Sequence, residues 1–252
     1  MIQLKSAREI DTMARGGRIL AATHDVVKSA LRPGISTLAL DKIAEEFIRS
    51  HDGAVPAFKG LYGFSGAVCL SINEEVVHGI PSAKRIVREG DILSVDIGVK
   101  YDGMYTDAAK THAVGTISVE HQRLLDVTEA SLKVAIAAAV LGNHIGDIGH
   151  ACQTVVEAAG YSVVRELVGH GVGFVLHEEI QVPNYGKPKR GTKLMAGMTL
   201  AIEPMVNIGT SAIRTLSDKW TIVSADAKWS AHFEHTVAIT ANGPRILTNL
   251  DS

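Results

Sequence analysis

Four acidic side chains interrupt apolar, β-like runs of this chain, and any fold that buries those runs must give each acid a partner. Asp96 lies in Ile-Leu-Ser-Val-Asp-Ile-Gly (92–98), Asp107 in the run from Met104 to Val114, Glu203 in Leu-Ala-Ile-Glu-Pro-Met (200–205) and Glu234 in Phe-Glu-His-Thr-Val (233–237). Burying a lone carboxylate is costly. Around Tyr101-Asp102-Gly103 the chain carries an Asp-Gly hairpin signal. Asp96 stands six residues before Asp102 and Asp107 five after it, so the antiparallel strands would bring the two carboxylates together. Close anions repel unless a cation lies between them, and a hard divalent ion is the natural partner. On the hairpin alone, ordinary turn and surface acids are the alternative.

A histidine among glycines follows later, in Gly169-His170-Gly171-Val172-Gly173, with His177 seven residues on. The glycines allow close backbone approach and leave the imidazole accessible. Asp96, Asp107, His170, Glu203 and Glu234 together offer one nitrogen and several oxygens, enough to hold two divalent metals through bridging carboxylates. Two such ions, roughly 3.5–4 Å apart, activate a water and clamp the attacked oxygen. No serine nucleophile elbow, cysteine-centred motif or P-loop competes with this reading.

Periodicity predicts helices over Ser6–Leu31, about Leu38–Ser50, about Val119–Leu141 and about Ile145–Ala159. Strands are predicted at Ala67–Ile72, Ile92–Gly98 and Met104–Val114, and a mostly β-rich chain from Tyr161 onward. Gly34, Leu40, Ala44 and Phe47 recur in spacing as Gly142, Ile148, Cys152 and Val155, 108 positions later. Two related α/β halves, roughly 1–115 and 116–252, would explain the echo; chance likeness of two amphipathic helices is the other explanation. No linker marks a boundary, and 252 residues with 46% hydrophobic content suit one domain with a large core.

A net charge of −2 argues against a duplex-binding surface. The basic run around Lys187, Lys189, Arg190 and Lys193 reads as a solvated loop. Cys69 and Cys152 form no zinc-type or redox-type pair. Met1 leads into polar sequence without a signal-peptide core, and no run reaches the roughly 18 apolar residues of a membrane span. A soluble cytoplasmic protein is expected.

His78-Gly79-Ile80-Pro81, Asp96 with Asp107, Gly169-His170-Gly171, Glu203-Pro204-Met205 and Glu234-His235-Thr236 stand in the order seen in methionine aminopeptidases, and Ser71–Val77 is similar to the stretch before the first of these motifs. Each motif alone is weak; the ordered set resembles the type I family over nearly the whole chain. The resemblance implies an α/β (α+β) pita-bread fold: two pseudo-symmetric halves around a curved antiparallel sheet, helices on its outer face. It implies a single catalytic domain that removes the N-terminal methionine of nascent proteins by two-metal hydroxide attack on the first peptide bond, preferring small residues at position 2.

By the same resemblance, Asp96, Asp107 and Glu234 would bind one ion, and Asp107, His170, Glu203 and Glu234 the other. Glu203 would also pass the proton between nucleophile and leaving amine. His78 would contact substrate near the scissile amide, and His177 would stabilise the tetrahedral oxyanion. Phe58, Leu61, Phe64, Cys69, Leu176 and Trp220 would line the methionine pocket. The sequence departs from the family pattern at Leu61, where an aromatic is common, and at Ser65 and Ile180, where prolines are usual. Such ligands accept cobalt, manganese, iron or zinc. The partners would be N-terminal segments of nascent chains, met at the ribosome, with no specific nucleic acid, no membrane and a monomeric enzyme. A bacterial-like form is expected, without a zinc-finger extension, a type II insertion or a prolidase N-terminal domain. Met1 itself, followed by the bulky Ile2, is expected to be retained. Two other readings share most of these residues: a proline-directed peptidase of the same fold, and a binding protein that has kept the fold.

Overall fold

The computed structural model describes residues 2–252; Met1, whose retention the sequence raises, lies outside them. Four helices carry the outer layer: α1 (Ala7–Ala30), α2 (Thr37–Arg49), α3 (Val119–Ala138) and α4 (Ile145–Ala158). Ser6 caps α1 through a capping box: its Oγ accepts from the Glu9 N–H, and its own N–H donates to Glu9 Oε2 at 2.7 Å. Ser36 and Ser118 cap α2 and α3 in the same way with side-chain oxygens. α3 ends three residues before the predicted Leu141. Asn143 Nδ2 donates to the carbonyl of Ala138 at 2.9 Å, and the chain turns extended to pair with the Leu194 segment.

The hairpin forms as predicted, as Ile92–Tyr101 against Met104–Ala113. Asp102 and Gly103 both adopt positive φ (46° and 83°), the two-residue turn that matches strand twist. The first strand runs past Gly98 to Tyr101 because its far end pairs with Ala54–Pro56; its near end pairs with Cys69–Ile72. The predicted strand at Ala67 begins only at Cys69, because the N–H groups of Ala67 and Val68 donate to Asp41 Oδ1 (2.7 and 3.1 Å) instead of to a neighbouring strand.

After Tyr161 the chain is all β. Five antiparallel strands run in the order Gly243–Ile246, His235–Thr240, Thr199–Ile202, Gly169–Gly171, Glu178–Val182. Two three-stranded sheets complete the fold: one pairs Ser230–His232 with Met205–Asn207, and the other pairs Ile222–Ser224 with Glu75–Val77 of the first half.

Two cores mirror each other. Leu20, Leu40 and Ile48 from α1 and α2 pack on Val95 and Ile97 of the hairpin. Leu124, Leu132, Ile148 and Val156 from α3 and α4 pack on Leu200, Ile202 and Val237. The turns before α2 and α4 also correspond. The N–H groups of Gly34 (φ 88°) and Gly142 (φ 90°) donate to the carbonyls of Val87 and Leu194, and the N–H groups of Val87 and Leu194 donate to the carbonyls of Ile35 and Asn143. Ser36 and His144, 108 positions apart, then make matching bridges to Ile86 and Lys193.

The hairpin is stitched to the segment 232–236. Thr111 Oγ1 donates to the His232 carbonyl and accepts from its N–H, both at 2.9 Å. The Glu234 N–H donates to the Ala109 carbonyl at 2.8 Å, and the Asp107 N–H donates to Thr236 Oγ1 at 2.9 Å. No helix among the described residues is long and apolar enough to cross a membrane.

Candidate active site

Asp96 pairs across the hairpin with Ala109, and Asp107 with Gly98. The two acids are therefore diagonal neighbours on one face, a relation within reach of carboxylate side chains. Gly98 has a second effect here: a Cβ at this position would lie 2.5 Å from the Phe58 ring. Its absence lets that ring pack directly on the strand that carries the acids.

From the other half, His170 comes on its short strand between two buried glycines, Glu203 follows the Thr199–Ile202 strand, and Glu234 precedes His235–Thr240. All five line one cavity of about 290 Å³. His170 Nε2 lies 3.5 Å from Glu203 Oε1 and 4.0 Å from Asp107 Oδ2. Its Nδ1 lies 2.9 Å from the Gly171 carbonyl, so Nδ1–H donates there and Nε2 is left to face the acids.

Burial raises all four carboxyl groups. Asp96 rises to about 7, and Glu203 likewise to about 7. Asp107 and Glu234 rise well above the carboxylate range, burial acting first and the neighbouring acids adding to it. Asp96 Oδ1, Asp107 Oδ1 and Glu234 Oε1 are buried with no hydrogen-bond partner. Buried oxygens normally find partners. Acids this close, with oxygens left over, fit divalent cations. Among the described residues the donor atoms fall into two metal-sized groups, Asp107–His170–Glu234 and Glu203–His232–Glu234.

His78 and His177 line the same cavity. His78 adopts φ 61°, a conformation uncommon outside glycine and one that structures retain at functional positions. Burial, with His232 nearby, lowers it to about 4, so its imidazole is neutral at pH 7. His177 lies on the exposed side, its ring 4.5 Å from that of His170; desolvation and then His78 lower its pKa too.

The six proposed pocket residues also converge. Phe58, Phe64, Cys69 and Leu176 form one buried apolar cluster, with Leu61 and Trp220 packed against it. Phe64 meets Trp220 edge-on at 5.1 Å. The loop lacking proline at Ser65 is held by its own backbone: Gly60 donates to Phe64 at 2.8 Å, and Phe64 donates to Leu61 at 2.9 Å. Ile180 sits in the Glu178–Val182 strand, against the second core.

Sequence reasoning missed Tyr62, Val77, Leu167, Val168, Met205 and His232, which also line the cavity. Tyr62, exposed, stacks with His177 at 6.2 Å. For His232 a signal was present: a polar ring in the apolar run Ser230-Ala231-His232-Phe233, two residues before Glu234.

Metallopeptidase family M24 matches residues 11–241. The chain is 53% identical to a methionine aminopeptidase of Clostridium perfringens, covering 98% of this chain and 99% of that protein. It is 52% identical to methionine aminopeptidase 1 of Bacillus subtilis, covering 99% and 100%. The crystal structure of a methionine aminopeptidase from Thermotoga maritima superposes with a TM-score of 0.97 at 43% identity, over 99% of this chain and 100% of that one. A prolidase from Pyrococcus furiosus shares the fold, with a TM-score of 0.80 at 21% identity, over 98% of this chain and 65% of that one.

Proposed function

The chain belongs to metallopeptidase family M24, and from that premise we propose that it is a methionine aminopeptidase, removing the N-terminal methionine of polypeptides by metal-dependent hydrolysis of the first peptide bond. The observation that carries this reading is one cavity in which four raised carboxyl groups and His170 stand beside an apolar wall of Phe58, Phe64, Leu176 and Trp220. The thioether of methionine packs well against aromatic rings such as Phe58, Phe64 and Trp220.

Asp96, Asp107 and Glu234 would hold one ion, and Asp107, His170, Glu203 and Glu234 the other. Bound there, two divalent ions supply an activated water and Lewis-acid stabilisation of the attacked carbonyl. Glu203 takes the proton from the nucleophile and returns it to the leaving amine. His78, kept neutral, contacts the scissile amide. His177 donates to the developing oxyanion. The apolar wall excludes water from the side chain of the first residue. We read the chain as one catalytic domain of two related halves, acting as a monomer in the cytoplasm on chains emerging from the ribosome. Cobalt, manganese, iron and zinc all suit the donor set.

Metal analysis together with hydrolysis of Met-Ala-Ser and Xaa-Pro peptides on one sample tests the reading. Cleavage of Met-Ala-Ser with bound metal is expected. Preference for Xaa-Pro would transfer the chain to the proline-directed peptidases, and no turnover by metal-loaded protein would favour a binding role. His177→Ala is expected to lower kcat about 100–1,000-fold with metal content unchanged. A parallel loss of bound metal would rule out a pure oxyanion role.

A further inference from the structure

His232 has none of the roles assigned above, yet its ring is held in the metal cradle. Its backbone is fixed on both sides by Thr111 and by pairing with Met205, and its side chain is fully buried. Nε2 lies 3.6 Å from Glu203 Oε2 and 4.0 Å from Glu234 Oε2. These separations are too long for hydrogen bonds. They are those of neighbouring donors around one ion, since ligand atoms roughly 2.0–2.2 Å from a metal lie about 3–4 Å apart. Both ring nitrogens are buried without a hydrogen-bond partner. His170 offers an internal standard, because its Nε2 stands at 3.5 Å from Glu203 Oε1 and 4.0 Å from Asp107 Oδ2. The two imidazoles thus flank Glu203, one on each carboxylate oxygen.

We propose that His232 is a sixth protein ligand, donating Nε2 to an ion shared with Glu203 and Glu234. The proposal rests on the two-metal reading above and adds a second nitrogen to it. Ligation through Nε2 leaves the imidazole proton on Nδ1. A second imidazole tilts selection toward cobalt and zinc and away from manganese, which prefers oxygen donors.

Proton NMR of the cobalt-loaded protein counts ligating histidines directly, because each bound imidazole contributes a hyperfine-shifted, exchangeable N–H resonance. Two such resonances are expected in the wild type, one lost in His232→Gln and the other in His170→Gln. Competition titrations are expected to show at least about a tenfold loss of cobalt affinity in His232→Gln, with a smaller loss for manganese. A single wild-type resonance that vanishes in His170→Gln would overturn the sixth ligand and leave the metal site standing. This count needs no variant at position 232 to fold. Unchanged cobalt affinity in a folded His232→Gln would overturn it as well. A wild type that takes up no cobalt would overturn the metal reading itself.

Discussion

Replacing Asp96 or Glu234 by alanine is expected to lower turnover more than about 100-fold, because disturbing groups that merely support a ligand already costs 10–100-fold. Both residues reach the centre of the cluster from different halves of the fold. Their loss removes charge that the cations need, while the apolar wall of Phe58, Phe64 and Trp220 stays in place. The variants should therefore retain their fold, bind less metal and fail on Met-Ala-Ser. Metal content by atomic emission and melting curves on the same samples check this. Wild-type activity in a variant stripped of metal would overturn the metallohydrolase assignment.

Chelation is expected to lower Tm, and by more at pH 8 than at pH 6.5. Folding raises Asp96 and Glu203 to about 7, and lifts Asp107 and Glu234 further, against about 4 in an unfolded chain. The metal-free folded state holds protons that the unfolded state has released. The stability this gives is full below about pH 4 and is lost as pH rises through 7. The buried histidines act in the opposite sense: His78, His112 and His235 are lowered to about 4, and their effect is complete above pH 6.5 or so. The window from pH 6.5 to 8 thus isolates the carboxyl groups. Metal replaces the missing protons, so the gap between loaded and chelated protein should widen across it. At a thousandfold excess over Kd a ligand contributes about 4 kcal/mol, which is about 10 °C for a domain of this size. A gap that stays constant or narrows would show that the acids do not share their charge with a cation.

The parts of the fold that were legible in the sequence are those governed by local chemistry. Ser6 with Glu9, Asp102-Gly103 and the apolar spacing of α1 and α2 each specify their element within a few residues. The acids were legible because a carboxylate in an apolar strand is costly wherever the strand goes. Three-residue strands such as Ser230–His232 and Ile213–Thr215 were not, since they are too short to show a period and owe their existence to partners far along the chain. His232 left one trace, a polar ring in an apolar run, but its three-residue strand is too short to show which way that ring points. Thr111, 121 residues away, and the pairing with Met205 fix the backbone that carries its ring. The cavity residues Tyr62 and Leu167 lie outside regular strands, where spacing carries no information about direction.

The stitching of the hairpin to segment 232–236 has a consequence for the life of the chain. Asp96 and Asp107 come from one half, and His170, Glu203 and Glu234 from the other. Each half alone presents an incomplete, self-repelling set of donors. The Thr236 bond to Asp107 forms only when nearly the entire polypeptide is available. On the proposed two-metal reading, a growing chain would stay chemically silent until the His235–Thr240 strand docks on the hairpin, and an ion would close only on a chain that presents both halves.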